Sequence, residues 1–144
     1  MPVVLDSSMV ISWLIDDERD MVAKAAAAAV VSNGAVVPAL WRWEVQNALL
    51  AAERRKRIDP AGIEAALTQL AALPISVNAA PPLFGPELDI ARRMNISVYG
   101  AAYLELALSR GAQLMTRDER LADAARTLNM LWKAPAAKRR RRGT

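Results

Sequence analysis

Short apolar runs alternate along the chain with longer stretches in which apolar residues recur every three or four positions. The short runs have the aliphatic content of β-strands, and they comprise Val3-Val4-Leu5, Ala35 to Pro38, Pro74 to Val77, Gln113 to Met115 and a weaker run at Met130 to Trp132. The longer stretches have the periodicity of amphipathic helices. Strands that alternate with helices are typical of a parallel sheet covered on both faces, so we expect an α/β fold.

Capping residues indicate where the predicted helices begin and end. Ser7 or Ser8 is the expected N-cap of the first helix, and Thr116 with Glu119 has the Ser/Thr-x-x-Glu form of a capping box for the last one. The other helices are expected over residues 20–31, 40–56, 59–73, 87–94 and 99–110, and the last helix over 118–128. Pro74 has no N–H to donate, which predicts an edge position for the strand that it begins.

The composition limits the class of protein. The chain has 144 residues, of which 53% are apolar and only 5% aromatic, so we expect one domain with a core of alanine, leucine, valine and isoleucine. No apolar run approaches ~18 residues, which argues against a membrane span. The first residues lack the basic start and the cleavage site of a signal peptide, so we expect a cytoplasmic location and no membrane partner.

The chain contains neither histidine nor cysteine. It therefore lacks imidazole as a base or zinc ligand and thiolate as a metal ligand, and it cannot form a disulfide. Carboxylates are the side chains that remain for metal chemistry at neutral pH. They favour hard cations such as Mg²⁺ or Mn²⁺.

Basic residues are concentrated at the carboxyl end of the chain. Lys138 and the four arginines at 139–142 supply enough charge that the net charge of +4 falls to about −1 without them. We therefore divide the chain into a domain over residues 1–134 and a basic tail over residues 135–144. A solvated, disordered tail is the favoured interpretation, and an RNA-binding arm is the alternative.

Two aspartates follow predicted strands. Asp6 comes directly after Val3-Val4-Leu5, and Asp118 comes shortly after Gln113 to Met115. In open parallel sheets the residues at the carboxyl ends of the strands converge on one crevice, so we expect both carboxylates to lie there. The alternative for each aspartate is an ordinary residue at a helix start that complements the helix dipole.

Glu44 lies on the apolar face of a predicted helix. The same face carries Trp41, Val45 and Ala48, so the carboxylate is directed toward the packed side. A buried carboxylate without a partner is costly and therefore needs a cation. That cation is either a metal ion or the arginine of a structural salt bridge.

Four sequence blocks carry a resemblance to a known family. They are Val4-Leu5-Asp6-Ser7-Ser8, Pro38 to Leu49, Ser97 to Ala107, and Leu114 to Leu121. Their order and spacing resemble the PIN-domain family and, within it, the VapC-type toxins of bacterial toxin–antitoxin pairs. The resemblance extends over about residues 2–132.

The resemblance implies a three-layer α/β/α fold with a central, mostly parallel twisted sheet, and a Mg²⁺- or Mn²⁺-dependent endoribonuclease. It implies hydrolysis of RNA phosphodiesters by a metal-activated water, a homodimer, and a cognate antitoxin whose C-terminal segment covers the acidic groove. By position, Asp6, Glu44 and Asp118 match the acidic residues that bind the metal and carry catalysis. Thr116 matches the family's hydroxyl neighbour, and Ser7 is the expected supporting residue.

Gly100 departs from the family pattern. It stands where the Tyr-Asp-Ala-Ala-Tyr motif has its third acid. Removing one carboxylate lowers the negative field and deletes a metal ligand, so we expect a folded protein with severely reduced or absent nuclease activity. Glu105 lies on a different helix face and is a poor replacement. Gly100 is either native or a substitution, and the codon in the source gene distinguishes the two.

A non-catalytic module that uses the same fold to bind RNA or a protein is the alternative function. A phosphotransferase of the haloacid-dehalogenase type also begins with a strand that ends in aspartate. Such an enzyme expects Asp-x-Asp, whereas this chain has Asp6-Ser7-Ser8. We therefore retain two functions, the impaired ribonuclease toxin and the binding module.

Overall fold

The sheet at the centre of the molecule is parallel throughout. A computed structural model describes residues 1–15, 20–79 and 81–136. Its strands are β1 (Val3–Leu5), β2 (Ala35–Val37), β3 (Ile75–Val77) and β4 (Leu114–Met115). Their order is β3-β2-β1-β4, and every neighbouring pair is parallel. The prediction of an α/β fold with a mostly parallel sheet is therefore confirmed.

Helices flank this sheet and connect its strands. Over the described residues they are α1 (Ser7–Leu14), α2 (Met21–Asn33), α3 (Trp41–Arg54), α4 (Pro60–Ala71), α5 (Glu87–Met94), α6 (Val98–Arg110) and α7 (Glu119–Thr127). Each predicted helix is present, and no end differs from its predicted bound by more than two residues. The weak last strand is reduced to a single bridge between Leu114 and Leu131.

The inner strands are deeply buried and place one carboxylate at the middle of the sheet edge. Val4 and Leu5 of β1 and Val37 of β2 have no exposed surface, as expected for strands covered on both faces. β1 lies between β2 and β4. Asp6, which follows β1 directly, therefore lies at the centre of the carboxyl edge, where ligands bind in open parallel sheets.

β3 forms an edge of the sheet, as the proline before it predicted. The carbonyl oxygen of Pro74 accepts a hydrogen bond from Ala35 N–H at 2.9 Å. Pro74 itself has no N–H that a further strand would require. The strand order therefore confirms the predicted edge position.

The remaining features predicted from the sequence are the absence of a membrane span and the basic tail. Of the helices in the described part of the chain, none is long and apolar enough to cross a membrane. The predicted tail covers residues 135–144, and 137–144 lie outside the described residues. The disordered tail, its RNA-binding alternative and the division at residue 134 therefore stay predictions.

Leu49 and Leu50 of α3 form a matched pair for testing the core. Leu49 is fully buried, whereas Leu50 is 37% exposed. Because Leu49→Ala leaves a cavity among packed side chains, we expect it to lower the free energy of unfolding by about 2–5 kcal/mol. Leu50→Ala should cost less than about 1 kcal/mol. Urea denaturation measures both values, and equal losses would contradict this packing of α3.

Candidate functional site

A cavity of about 280 Å³ lies at the carboxyl edge of the sheet. Helices α1, α3, α6 and α7 all begin beside it, because their first turns contribute to its lining. Asp6, Glu44 and Asp118 line it together with Gly100. The other lining residues are Ser7, Ser8, Ile96, Ser97, Tyr99, Tyr103, Arg120 and Leu121. The positions inferred from strand ends and from a helix face therefore surround one space, and their catalytic role stays a prediction.

Asp6 is a buried carboxylate held by hydroxyl groups. Only 6% of the residue is exposed. Its Oδ2 accepts hydrogen bonds from Ser8 Oγ at 2.6 Å and from Thr116 Oγ1 at 2.7 Å. Burial raises the pKa of Asp6 above its ordinary value, the charge of Asp118 raises it further, and the two hydroxyl donors partly offset this effect. Thr116 therefore contacts Asp6 directly, and its supporting role in catalysis stays a prediction.

Ser8 links Asp6 to the loop after β4. Its Oγ lies 3.2 Å from Thr116 Oγ1 and accepts a hydrogen bond from Arg117 N–H at 2.9 Å. Ser7, the expected supporting residue, is farther away, with its Oγ 3.5 Å from Asp6 Oδ1. The N-cap prediction for these serines is wrong, because α1 begins at Ser7 with Asp6 in the N-cap position. The sequence signal for this contact was Ser8 itself, a hydroxyl residue two positions after Asp6.

Glu44 is half-buried and is oriented by a tyrosine. Tyr103 Oη of α6 donates a hydrogen bond to Glu44 Oε1 at 2.5 Å. Burial raises the pKa of Glu44, the Tyr103 hydrogen bond lowers it, and the nearby charge of Asp6 raises it. Burial and the contact with Glu44 hold the pKa of Tyr103 far above its usual range, so its phenol stays protonated. Tyr103 was not identified from the sequence.

The salt bridge considered for Glu44 is absent from the described part of the chain. Arg42, two positions before it, lies over the ring of Trp43 instead, with its guanidinium carbon 4.7 Å from the ring centroid. A neutral hydroxyl donor thus occupies one oxygen of the carboxylate. The metal alternative for Glu44 stays a prediction.

Asp118 begins α7 beside the cavity. Its Oδ1 accepts a hydrogen bond from Leu121 N–H at 2.9 Å, so Asp118 is the N-cap of this helix. The predicted capping box of Thr116 and Glu119 is wrong, because the Thr116 hydroxyl donates to Asp6 and accepts from Asp118 N–H at 3.0 Å. Asp118 therefore both caps α7 and lines the cavity.

An ion pair ties the loop before α7 to the start of α2. Arg117 Nη1 and Nη2 donate to Asp20 Oδ1 and Oδ2 at 2.8 and 2.7 Å. The Arg117 contact, helped by the Ala23 N–H that Asp20 caps, lowers the pKa of Asp20 to about 2. Because the Arg117 backbone also donates to Ser8, this loop is held from two sides.

Gly100 lies in the first turn of α6, and its N–H donates to Ser97 Oγ at 3.0 Å. A Cβ at this position would lie 3.4 Å from Ser97 Oγ and 3.7 Å from Leu121 Cδ1, which are ordinary contacts. A Cβ therefore fits at this position beside the cavity. Glu105 is not among the residues that line the cavity, and burial together with the charge of Glu87 raises its pKa. Glu105 therefore does not contribute a carboxylate to the lining of this cavity.

The donor chemistry suits a hard cation, but the arrangement is incomplete. Carboxylate and hydroxyl oxygens are ligands that Mg²⁺ and Mn²⁺ accept. Within residues 1–15, 20–79 and 81–136, however, no group of three or more Asp, Glu, His or Cys side chains is close enough to hold a metal ion. Among the described residues, the side chains therefore do not form a metal site by themselves.

Comparisons with known proteins agree with this fold. A family model described as PIN domain matches residues 3–127. The matched range includes Asp6, Glu44, Gly100 and Asp118, which all line the cavity. The crystal structure of PAE2754 from Pyrobaculum aerophilum is similar, with 23% identity and a TM-score of 0.67, over 89% of this chain and 86% of that chain. At this identity the likeness shows the fold alone. Comparison with curated proteins gave no match.

Asp6→Asn is predicted to become less costly as the pH rises. The folded pKa of Asp6 is raised above the ordinary value of 3.8. Its contribution to stability is therefore complete below that value and is lost as the pH rises through the folded pKa. Asparagine keeps an oxygen for Ser8 and Thr116 and does not ionise. Chemical denaturation with EDTA should show the variant gaining stability relative to the original chain as the pH rises above about 4.

Asp20→Asn is the matched control with the opposite sign. Because the folded pKa of Asp20 is lowered to about 2, its stabilising contribution is present above the ordinary pKa and is lost as the pH falls toward the folded one. The cost of this variant should be largest near neutral pH and shrink in acid. The same pH trend in both variants would contradict the electrostatic description of the site.

Proposed function

The chain belongs to the PIN-domain family, and we propose that it is a VapC-type endoribonuclease toxin of a toxin–antitoxin pair whose nuclease activity is impaired by Gly100. PIN domains are typically metal-dependent nucleases. The observation that carries the proposal is the cavity that Asp6, Glu44 and Asp118 share with Gly100. Four elements that are distant in sequence bring these residues to one space at the carboxyl edge of the sheet.

The three carboxylates are oriented by the protein itself. Asp6 is held by two hydroxyls, Glu44 by Tyr103, and Asp118 by the first turn of α7. Burial raises the pKa of Asp6 and of Glu44, and the nearby carboxylate charges raise both further. Such a site favours an added positive charge, because a cation would stabilise the ionised forms. These carboxylates therefore support Mg²⁺ or Mn²⁺ as the proposed cofactor of the site.

Gly100 accounts for the incomplete arrangement. An aspartate at this position would add a fourth carboxylate to the lining, and its Cβ would make only ordinary contacts with Ser97 and Leu121. Without it, the negative field is weaker and one oxygen ligand is missing. We therefore propose that this chain binds the metal weakly and cleaves RNA slowly or not at all, while the fold persists.

The proposed partners follow from the VapC-type assignment. They are the RNA substrate, a homodimeric second copy, and a cognate antitoxin whose C-terminal segment covers the acidic cavity. The exposure of Asp118 at the cavity supports the antitoxin, since a cationic side chain of a partner could reach it. Copurification with a small protein encoded beside this gene tests the antitoxin, and size-exclusion chromatography with light scattering tests the dimer.

A non-catalytic module that binds RNA or a protein is the second candidate. The absence of a three-ligand metal cluster among the described residues favours it. The two candidates differ in one respect, because only the impaired nuclease is restored by completing the acidic group.

Gly100→Asp is predicted to restore metal-dependent RNA cleavage. We expect the rate with Mg²⁺ or Mn²⁺ to rise by at least about tenfold, since even residues that only orient a metal's ligands have effects of that size. Gel assays of single-turnover cleavage, with and without EDTA, measure the change.

Gly100→Asn and Gly100→Ala are the matched controls for this experiment. Asparagine has the shape of aspartate without its charge, and alanine fills only the Cβ position. Neither variant should gain activity. A folded Gly100→Asp protein that fails to cleave RNA with either metal would overturn the nuclease proposal and favour the binding module.

A further inference from the structure

Tyr99 lies on the rim of the acidic cavity and has no role in the site described so far. It occupies the first turn of α6 and is 67% exposed, although it lines the same cavity as the three carboxylates. Tyr103, one turn later on the same helix, is only 1% exposed and donates to Glu44. No hydrogen bond of the Tyr99 hydroxyl occurs within the described ranges. The ring of Tyr99 is therefore available to a ligand in the cavity.

The cavity beside Tyr99 is large enough for a small planar group. Its volume is about 280 Å³, near the lower end of the range of ligand pockets, roughly 300–1,000 Å³. Gly100, the next residue, contributes no side chain to the lining. A single exposed aromatic residue is ordinary on a protein surface, but Tyr99 is placed beside the acidic group.

Arg120 lines the same cavity from the first turn of α7. The ion pairs of the described residues join Arg93, Arg117 and Arg126 to aspartates, but none of them includes Arg120. The cavity therefore combines carboxylates with an aromatic ring and with a guanidinium that forms no ion pair among the described residues. Phosphates are repelled by the carboxylates and attracted by this guanidinium, which gives a nucleic-acid strand a preferred position.

We propose that Tyr99 stacks on an unpaired base of single-stranded RNA and that Arg120 contacts a phosphate of the same strand. This inference rests on the RNA substrate of the proposed function. Aromatic rings bind bases of any sequence through their faces, and an adjacent cation follows the backbone. Bases inside an RNA duplex are stacked on one another, so the ring selects unpaired segments. Tyr99 and Arg120 are thus substrate-contacting residues outside the acidic group.

Equilibrium RNA binding to the chain as it stands tests this inference, because slow or absent cleavage preserves the RNA. Fluorescence anisotropy with a fluorescein-labelled, unstructured RNA gives the dissociation constant. Tyr99→Ala should weaken binding by about five-fold or more, whereas Tyr99→Phe, which keeps the ring, should retain it. Phe84→Ala is the control, since Phe84 is 90% exposed and does not line the cavity. The same RNA annealed to its complement should bind less tightly and be insensitive to Tyr99→Ala.

The salt dependence of binding tests Arg120 separately. Removing one phosphate contact should reduce the slope of log affinity against log salt concentration by about 0.7 for a single strand. Arg120→Ala should show this reduction, whereas Arg92→Ala, an exposed arginine of α5 that does not line the cavity, should not. An unchanged slope for Arg120→Ala would overturn the phosphate contact.

Two outcomes would overturn the role of Tyr99 and can be told apart. If the chain binds RNA and Tyr99→Ala changes the dissociation constant by less than about two-fold, the stacking role is wrong and the proposed function stands. If no form of the folded chain binds RNA, both fail. Loss of partner-protein binding by Tyr99→Ala in that second case would assign the rim to a protein instead.

Discussion

Burial of Asp6 at the carboxyl end of β1 is the constraint on which the site depends. Only 6% of the residue is exposed, and a carboxylate in such a place is costly unless donors or a cation compensate it. Ser8 from α1 and Thr116 from the loop after β4 supply the donors. These bonds join the segments that follow two neighbouring strands. The hydrogen bonds to Asp6 therefore both orient a carboxylate in the cavity and hold two segments together at the sheet edge.

The other two carboxylates are held by means that do not require a bound ion. Tyr103 of α6 orients Glu44, and Asp118 caps α7. Neither contact involves Gly100, so a glycine at this position is compatible with an intact fold. Fewer like charges in one cavity also reduce repulsion when no cation is bound. The proposed loss of nuclease activity therefore does not require a loss of the fold.

The sequence predicts the elements and the convergence of the acidic residues better than it predicts their partners. Asp6, Glu44 and Asp118 could be placed because strand ends and helix faces follow from short periodic patterns. Tyr103 could not be identified as the donor to Glu44, because the two residues are 59 positions apart and meet only when α3 and α6 pack. Ser8, and not Ser7, makes the short hydrogen bond to Asp6, and it also contacts the loop after β4. Local periodicity carries no information about that loop, so the sequence could not distinguish the two serines. The expectation of an acidic residue at position 100, where this chain has glycine, came from the family resemblance alone.

The central claim is that the cavity is a divalent-cation site that lacks one ligand. Titration of Mn²⁺ followed by electron paramagnetic resonance tests it most directly, because free and bound ions give different signals and no RNA is needed. The account predicts weak binding to the chain as it stands and one tight site in Gly100→Asp that is lost again when Asp118→Asn is added. Equal Mn²⁺ affinity in the original chain and in folded Gly100→Asp would contradict it.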